Sequence, residues 1–223
     1  MKPVAIIHTP FKEKFGIPRQ PGLIESAVGR IELQPPFDRP EVFEGLEGFS
    51  HIWLIWQFHA VPEDDWKPMV RPPRLGGNRK VGVFASRSPF RPNPLGLSAV
   101  KLESVGERHL EVSGVDLLDG TPILDIKPYI PYSDAIGDAA DGFAAGPPAP
   151  KLTVEFSETA QQQLQERPDG KMEQRLIVAC IETDPRPAYK QGEAGEYGFR
   201  LFDFDLRWRV SGSVATVMEL RAC

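Results

Sequence analysis

The apolar positions of this chain come in short runs broken by turn residues. Residues 4–7 are a β-branched run that Pro10 ends, and residues 51–58 (HIWLIWQF) and 81–85 (VGVFA) are further apolar runs too short for an ordinary helix. Residues 97–105 and 109–118 alternate on either side of Gly106-Glu107-Arg108, a hairpin turn, and residues 123–126 follow the turn Asp119-Gly120-Thr121-Pro122. Strands this short and closely spaced predict a barrel or a sandwich for the first two thirds of the chain.

The pattern then changes. Residues 134–150 are rich in Ala, Gly, Asp and Pro and lack apolar periodicity, which predicts a linker or crossover. Beyond it, residues 152–156 read as a strand. Ser157 can cap a helix that runs to about Arg167 and stops at Pro168-Asp169-Gly170. Met172, Leu176, Ile177, Cys180 and Ile181 share one helical face, predicting a second helix to about Glu182. Residues 199–210 and 214–220 predict two strands around Ser211-Gly212-Ser213. The chain therefore divides into a mainly β unit over 1–135, a linker over 136–150 and a small α+β unit over 151–223.

Composition sharpens this reading. Of 223 residues, 23 are Pro and 20 are Gly, which multiplies turns and argues against a fold of long helices. The net charge of −5 does not suit a protein that coats nucleic acid through bulk charge, so nucleic-acid binding requires a local basic patch. Cys180 and Cys223 give neither a disulfide framework nor metal-ligand spacing, and the four histidines are scattered. No signal peptide and no run approaching about 18 apolar residues is visible, so a cytoplasmic protein without membrane segment or metal is expected.

The local basic patch exists. Residues 67–102 carry Lys67, Arg71, Arg74, Arg79, Lys80, Arg87, Arg91 and Lys101 and no Asp or Glu. The prolines of residues 71–79 (RPPRLGGNR) exclude a helix or a central strand, leaving a stiffened loop that holds arginines outward, suited to phosphate contacts. In residues 84–98 (FASRSPFRPNPLGLS), three prolines fix the backbone around Arg91 and Asn93, and Gly96 permits close approach. Asp125 and Lys127 share one face of a strand opposite Leu124 and Ile126, either as an exposed ion pair or as a charged pair at a site. In Asp184-Pro185-Arg186-Pro187-Ala188-Tyr189-Lys190, Tyr189 could stack on an unpaired base with Arg186 and Lys190 on phosphates. There is no GxGxxG after a strand, no GxxxxGK[ST] and no GxSxG, so dinucleotide, phosphate-loop and serine-hydrolase fingerprints are absent.

These stretches resemble the tRNA methyltransferase O family. The resemblance rests on FKEKF (residues 11–15), PRQPG (18–22), GLEGFSH (45–51), VRPPRLGG (70–77), GVFASRSPFRPNPLGL (82–97), residues 116–129 and DPRPAY (184–189). It implies a small antiparallel β-barrel that binds S-adenosylmethionine, followed by a C-terminal domain that helps to hold tRNA. It also implies a homodimer, and methylation at N6 of threonylcarbamoyladenosine, 3′ of the anticodon in threonine tRNA. Carried onto matching positions, it gives Gln20, Phe84, Ala85, Ser86, Arg87, Asp119, Gly120 and Thr121 as cofactor contacts. Arg91, Asn93, Asp125 and Lys127 would face the reacting centre, with Asp125 or His51 as the proton acceptor. Arg71, Arg74, Arg186, Tyr189 and Lys190 would contact the threonine-specific anticodon stem-loop. Two other readings use the same basic loops: a non-catalytic tRNA- or RNA-binding module, and a barrel that binds an anionic metabolite.

Overall fold

Alternation along the apolar runs sends every second side chain into one interior, and the strands close around it. The computed structural model describes residues 1–62, 65–187, 190–191 and 193–223. The first unit contains β1 (Ala5–His8), β2 (Val28–Leu33), β3 (His51–Gln57), β4 (Met69–Val70), β5 (Val81–Gly82), β6 (Leu95–Val105), β7 (His109–Ser113) and β8 (Thr121–Pro128). Six of these form a closed barrel in the order β1-β2-β7-β6-β3-β8, antiparallel throughout, with β8 pairing back onto β1. In β3, Ile52, Leu54 and Trp56 point inward to join Ile7, Ile31, Val100, Leu110, Val112 and Ile123, while His51, Trp53 and Ile55 lie on the outer face. Closure leaves the barrel no free edge, so every strand satisfies its backbone groups on both sides.

Between β3 and β6 the chain leaves the barrel. β4 and β5 make a two-stranded hairpin, and its tip carries the exposed Arg71, Arg74, Arg79 and Lys80. The strand expected over residues 81–85 is real only at Val81–Gly82, because residues 83–85 tighten into a 3-10 turn. The strand expected over 109–118 ends at Ser113, where Gly114 takes a φ of +74° and turns the chain.

After α1 (Pro131–Asp134), residues 135–150 run without strand or helix to the C-terminal unit. That unit holds β9 (Thr153–Phe156), α2 (Glu158–Gln165), α3 (Gly170–Glu182), β10 (Gly195–Leu201), β11 (Phe204–Ser211) and β12 (Val214–Ala222). Its sheet runs β10-β11-β12-β9, with β9 parallel to β12 and the other pairs antiparallel. Ser157 caps α2 as expected, accepting from the Ala160 amide at 3.1 Å while donating to the Met218 carbonyl. The single strand expected over residues 199–210 is two strands, because Phe202 (φ 53°) and Asp203 turn the chain between them.

The segment after β1 reaches the C-terminal sheet. The Phe202 amide donates to the Pro10 carbonyl at 2.8 Å, Phe11 bridges to Leu201, and the Phe15 ring packs edge-on against Phe199 at 5.8 Å. Fully buried Phe11 belongs to one apolar cluster with side chains from both units.

Candidate active site

Residues 14–20, the chain from Trp53 through Val61, residues 86–91, the start of β6 and residues 116–121 surround a cavity of about 580 Å³. Trp53, Trp56, Phe58 and Phe90 give it aromatic walls, and Lys14, Arg19, Arg87 and Arg91 give it a basic lining. Gly96 makes this packing feasible: a Cβ there would lie 2.2 Å from the Trp56 indole.

The loop over residues 83–94 is held by its own side chains. The Ser86 hydroxyl donates to the Val83 carbonyl at 2.9 Å and accepts from the Ser88 amide, and the Ser88 hydroxyl accepts from the Phe90 amide. Arg91 donates to the Ser86 carbonyl at 2.6 Å and to the Val83 carbonyl at 3.2 Å. The Val83 carbonyl also accepts from the Ser86 amide at 3.2 Å, and because prolines supply no N–H, side chains add the remaining hydrogen bonds to these carbonyls. Arg91 thus braces the loop and lines the cavity at once. At the mouth, Arg87 donates to Gln20 Oε1.

Of the residues selected from sequence, the cavity brings together Gln20, Ser86, Arg87, Arg91 and Thr121. Phe84, 78% exposed, and Ala85 stand outside it, as does the exposed Asn93. Asp119 faces away, accepting from the Thr9 amide at 2.9 Å and from Lys12 Nζ at 2.8 Å, and Gly120 (φ +75°) makes the turn beside it. Asp125 and Lys127 pair at 3.0 Å on the exposed outer face of β8, opposite Ile55 and Trp53. His51 is exposed, with Nδ1 2.9 Å from the Ser50 hydroxyl. Neither candidate proton acceptor lines the cavity.

Two expectations about phosphate contacts need revision. Arg186 is 1% exposed: it forks onto Asp184 at 2.7 and 2.9 Å and donates to the Glu193 carbonyl at 2.8 Å, so nothing of its guanidinium reaches the surface. Arg74 is exposed but donates to the carbonyls of Ala145 and Gly146, tying the hairpin to the linker. Arg71 and Lys190 are exposed, and Tyr189 lies outside the described residues. The linker itself begins fixed, since Asp134 Oδ2 accepts from Trp53 Nε1 at 2.8 Å and from the Ile130 amide at 2.9 Å.

Two proton acceptors that sequence reasoning left without a role do line the cavity. Asp116, partly exposed to it, accepts from Ser98 Oγ at 2.6 Å, and buried Ser98 accepts in turn from Trp56 Nε1 at 2.9 Å. Burial pushes the Asp116 carboxyl up to about 6, against the opposing pull of the Ser98 hydroxyl and Arg87. His59 Nδ1 lies 3.4 Å from Thr121 Oγ1, and burial and Lys14 hold its pKa below the ordinary histidine value. The signal for Asp116 was its place at the head of the motif over residues 116–129; for His59 there was only its position at the end of an apolar strand. Among the described residues no group of three His, Cys, Asp or Glu side chains converges as a metal site, and no helix is long and apolar enough to cross a membrane.

Comparison with known proteins gives this geometry its context. The family model for the tRNA-methyltransferase O N-terminal domain matches residues 6–135, and that for the TrmO C-terminal domain matches residues 149–223. A protein of Escherichia coli K12 named tRNA (adenine(37)-N6)-methyltransferase is 42% identical over 97% of this chain and 95% of its own length. A Pseudomonas aeruginosa protein, named as a candidate S-adenosylmethionine-dependent methyltransferase, is 51% identical over 93% of this chain and 91% of its own. The crystal structure of TrmO from P. aeruginosa superposes with a TM-score of 0.82 at 41% identity, covering 100% of this chain and 96% of that one. With both units of the chain matched in order, this protein belongs to the tRNA-methyltransferase O family.

Proposed function

We propose that this protein transfers the methyl group of S-adenosylmethionine to N6 of threonylcarbamoyladenosine at position 37 of threonine tRNA. The coarser activity, N6-methylation of adenine 37 in tRNA, follows from family membership. The observation that carries the reading to this chain is the chemistry of the cavity lining. S-adenosylmethionine combines an adenine, a sulfonium cation and an amino-acid carboxylate. Aromatic walls suit the adenine and the cation, Arg87 and Arg19 suit the carboxylate, and Asp116 is a half-buried anion on the same surface. When bound, the cofactor supplies an electrophilic methyl group.

The chain's own residues have three tasks. Ser86, Arg87, Gln20 and Thr121 orient the cofactor from the mouth and floor of the cavity, and Arg91 keeps the loop in shape for them. Orientation matters most, because methyl transfer is an in-line displacement whose barrier falls with correct alignment. The second task is removal of a proton. The target nitrogen is conjugated with both purine and carbonyl, so losing its proton frees the attacking lone pair. His59, kept neutral by its surroundings, can accept that proton inside the cavity, whereas Asp125 and His51 act only on a base lying across the outer face of β3 and β8. The third task is to hold tRNA: Arg71, with Arg79 and Lys80, presents a basic hairpin, and Lys190 adds a charge from the C-terminal unit. Exposed Phe84, Leu97, Tyr132 and Ile136 offer apolar surface for a second copy of the chain, and a homodimer in the cytoplasm is part of the proposal.

The test is nucleoside mass spectrometry of threonine tRNA after incubation with protein and S-adenosylmethionine. The expected product is threonylcarbamoyladenosine heavier by one methyl group. Unchanged nucleoside together with tight tRNA binding would favour the non-catalytic module.

A further inference from the structure

The cavity lining is lopsided in charge. Among its described residues it contains Lys14, Arg19, Arg87, Arg91 and His59 but a single carboxylate, Asp116. That carboxylate is held from behind. The Trp56 indole N–H is given to Ser98 Oγ at 2.9 Å, so the Ser98 hydroxyl hydrogen is directed onto Asp116 Oδ1 at 2.6 Å. Ser98 is fully buried and Trp56 is an inward residue of β3, so the chain starts in the barrel core and ends at the cavity. No second side chain among the described residues donates to Asp116. One oxygen is thus fixed from the core, while the residue itself lines the cavity.

We infer that Asp116, aimed by the Trp56–Ser98 chain, is the counter-charge of the cofactor's sulfonium and makes the site prefer the methylated cofactor over its demethylated product. The inference rests on the reading of this cavity as the S-adenosylmethionine site. A sulfonium has no N–H to donate, so it is recognised by charge and by aromatic surface, and Trp53, Trp56, Phe58 and Phe90 line the same cavity as this one anion. A ligand ammonium, with three donors, would instead call for several acceptors. Desolvating a carboxylate is costly, and even with Arg87 nearby burial pushes this one toward its protonated form. A positive ligand offsets that cost. Methyl transfer converts the sulfonium to a neutral thioether as the methyl group passes to the substrate nitrogen and that nitrogen's proton passes to a base. The carboxylate then loses its partner, and the product is released from a site that no longer compensates it.

Calorimetry with three ligands tests the inference: S-adenosylmethionine, S-adenosylhomocysteine, and sinefungin, in which a protonated amine replaces the methylsulfonium. Asp116→Asn should weaken the first and third by about tenfold or more, and leave S-adenosylhomocysteine within about twofold. An equal loss for all three ligands, or no loss, overturns the inference. A failure of the unmodified protein to bind S-adenosylmethionine strikes the cofactor reading itself. A second measurement needs no change at Asp116. In His59→Gln, which removes the other group titrating in this range, the preference for S-adenosylmethionine over S-adenosylhomocysteine should shrink between pH 8 and pH 5 as Asp116 takes up its proton. The other charged side chains of the lining are Lys14, Arg19, Arg87 and Arg91. A preference that does not vary with pH overturns the inference.

Discussion

Replacing Arg186 with Ala separates a folding role from a tRNA-binding role. The guanidinium donates from Nε and Nη2 to the two oxygens of Asp184 and from Nη1 to the Glu193 carbonyl, and it lies 5.3 Å from the centre of the Tyr197 ring. Asp184 is 3% exposed and takes a left-handed φ of 55°, so it cannot turn to water without unmaking its loop. Arg186→Ala therefore strands a buried carboxylate, which costs about 3–5 kcal/mol. That is a large part of the roughly 5–15 kcal/mol that holds a domain folded. Urea denaturation followed by circular dichroism reads the loss as an earlier midpoint for the C-terminal unit. Asp184→Asn with Arg186→Met should recover most of it, because the stranded charge is gone and Asn tolerates the left-handed backbone. The reasoning is refuted if Arg186→Ala loses less than about 1 kcal/mol and instead weakens tRNA binding in the folded protein.

Burial raises the Asp116 carboxyl from 3.8 to about 6, so the folded state binds this proton more tightly than the unfolded chain. The sign follows: the penalty is absent below pH 3.8, grows as pH rises, and is complete above pH 6, where about 1.4 kcal/mol per pH unit makes it roughly 3 kcal/mol. Without ligand, Asp116→Asn should thus be more stable than the parent at pH 8 and nearly equal at pH 4, as read by chemical denaturation; an equal gain at both pH values would contradict this. Gly96→Ala puts a Cβ 2.2 Å from the Trp56 indole, so the ring must leave Ser98 or the strand must shift. The expected loss is about 1–3 kcal/mol, with altered tryptophan fluorescence and weaker cofactor binding, and an unperturbed spectrum would show that the site adapts without strain.

The barrel was legible because its strands obey one local rule. His51–Gln57 is an apolar run too short for a helix, and that marked it as a strand, although which of its side chains face inward follows only from its neighbours, and Ser157 marked the start of α2 by its own hydroxyl. β2 escaped notice because Gly29 and Arg30 interrupt a run of only six residues, and the register with β1 and β7 supplies what the local pattern lacks. The break between β10 and β11 was hidden because Phe202 is apolar and gives no sign that it turns the chain. The motif over residues 82–97 falls on a loop that lines the cavity. It did not separate the side chains that face the cavity from those that face away, since that depends on which loops meet. Asp119 was the more conspicuous acid, beside a glycine in a turn, yet it caps the segment after β1. Asp116 lines the cavity because Ser98 stands beneath it, a relationship across 18 residues of sequence.

Counting charges in sequence also overstates how many of them reach a polyanion. Of the eight cations between Lys67 and Lys101, Arg91 is turned onto its own loop's carbonyls and Arg74 onto those of the linker. Lys67 lies 4.2 Å from the centre of the Phe90 ring and 3.3 Å from Asp65, and Lys101 pairs with Glu103 at 3.0 Å. That leaves Arg71, Arg79 and Lys80 on the hairpin without an ion pair among the described residues, and Arg87 at the cavity mouth, hydrogen-bonded to Gln20 and acting on Asp116. The prolines explain the difference. A proline-rich loop has fewer backbone donors, so its carbonyls recruit guanidinium groups, and the stiffness that presents some arginines consumes others. Counterion release follows the phosphates actually neutralised, not the formal charge of the segment. The basic stretch therefore divides by geometry into cations that build the loops and a smaller set, concentrated on the hairpin, that remains for a polyanion.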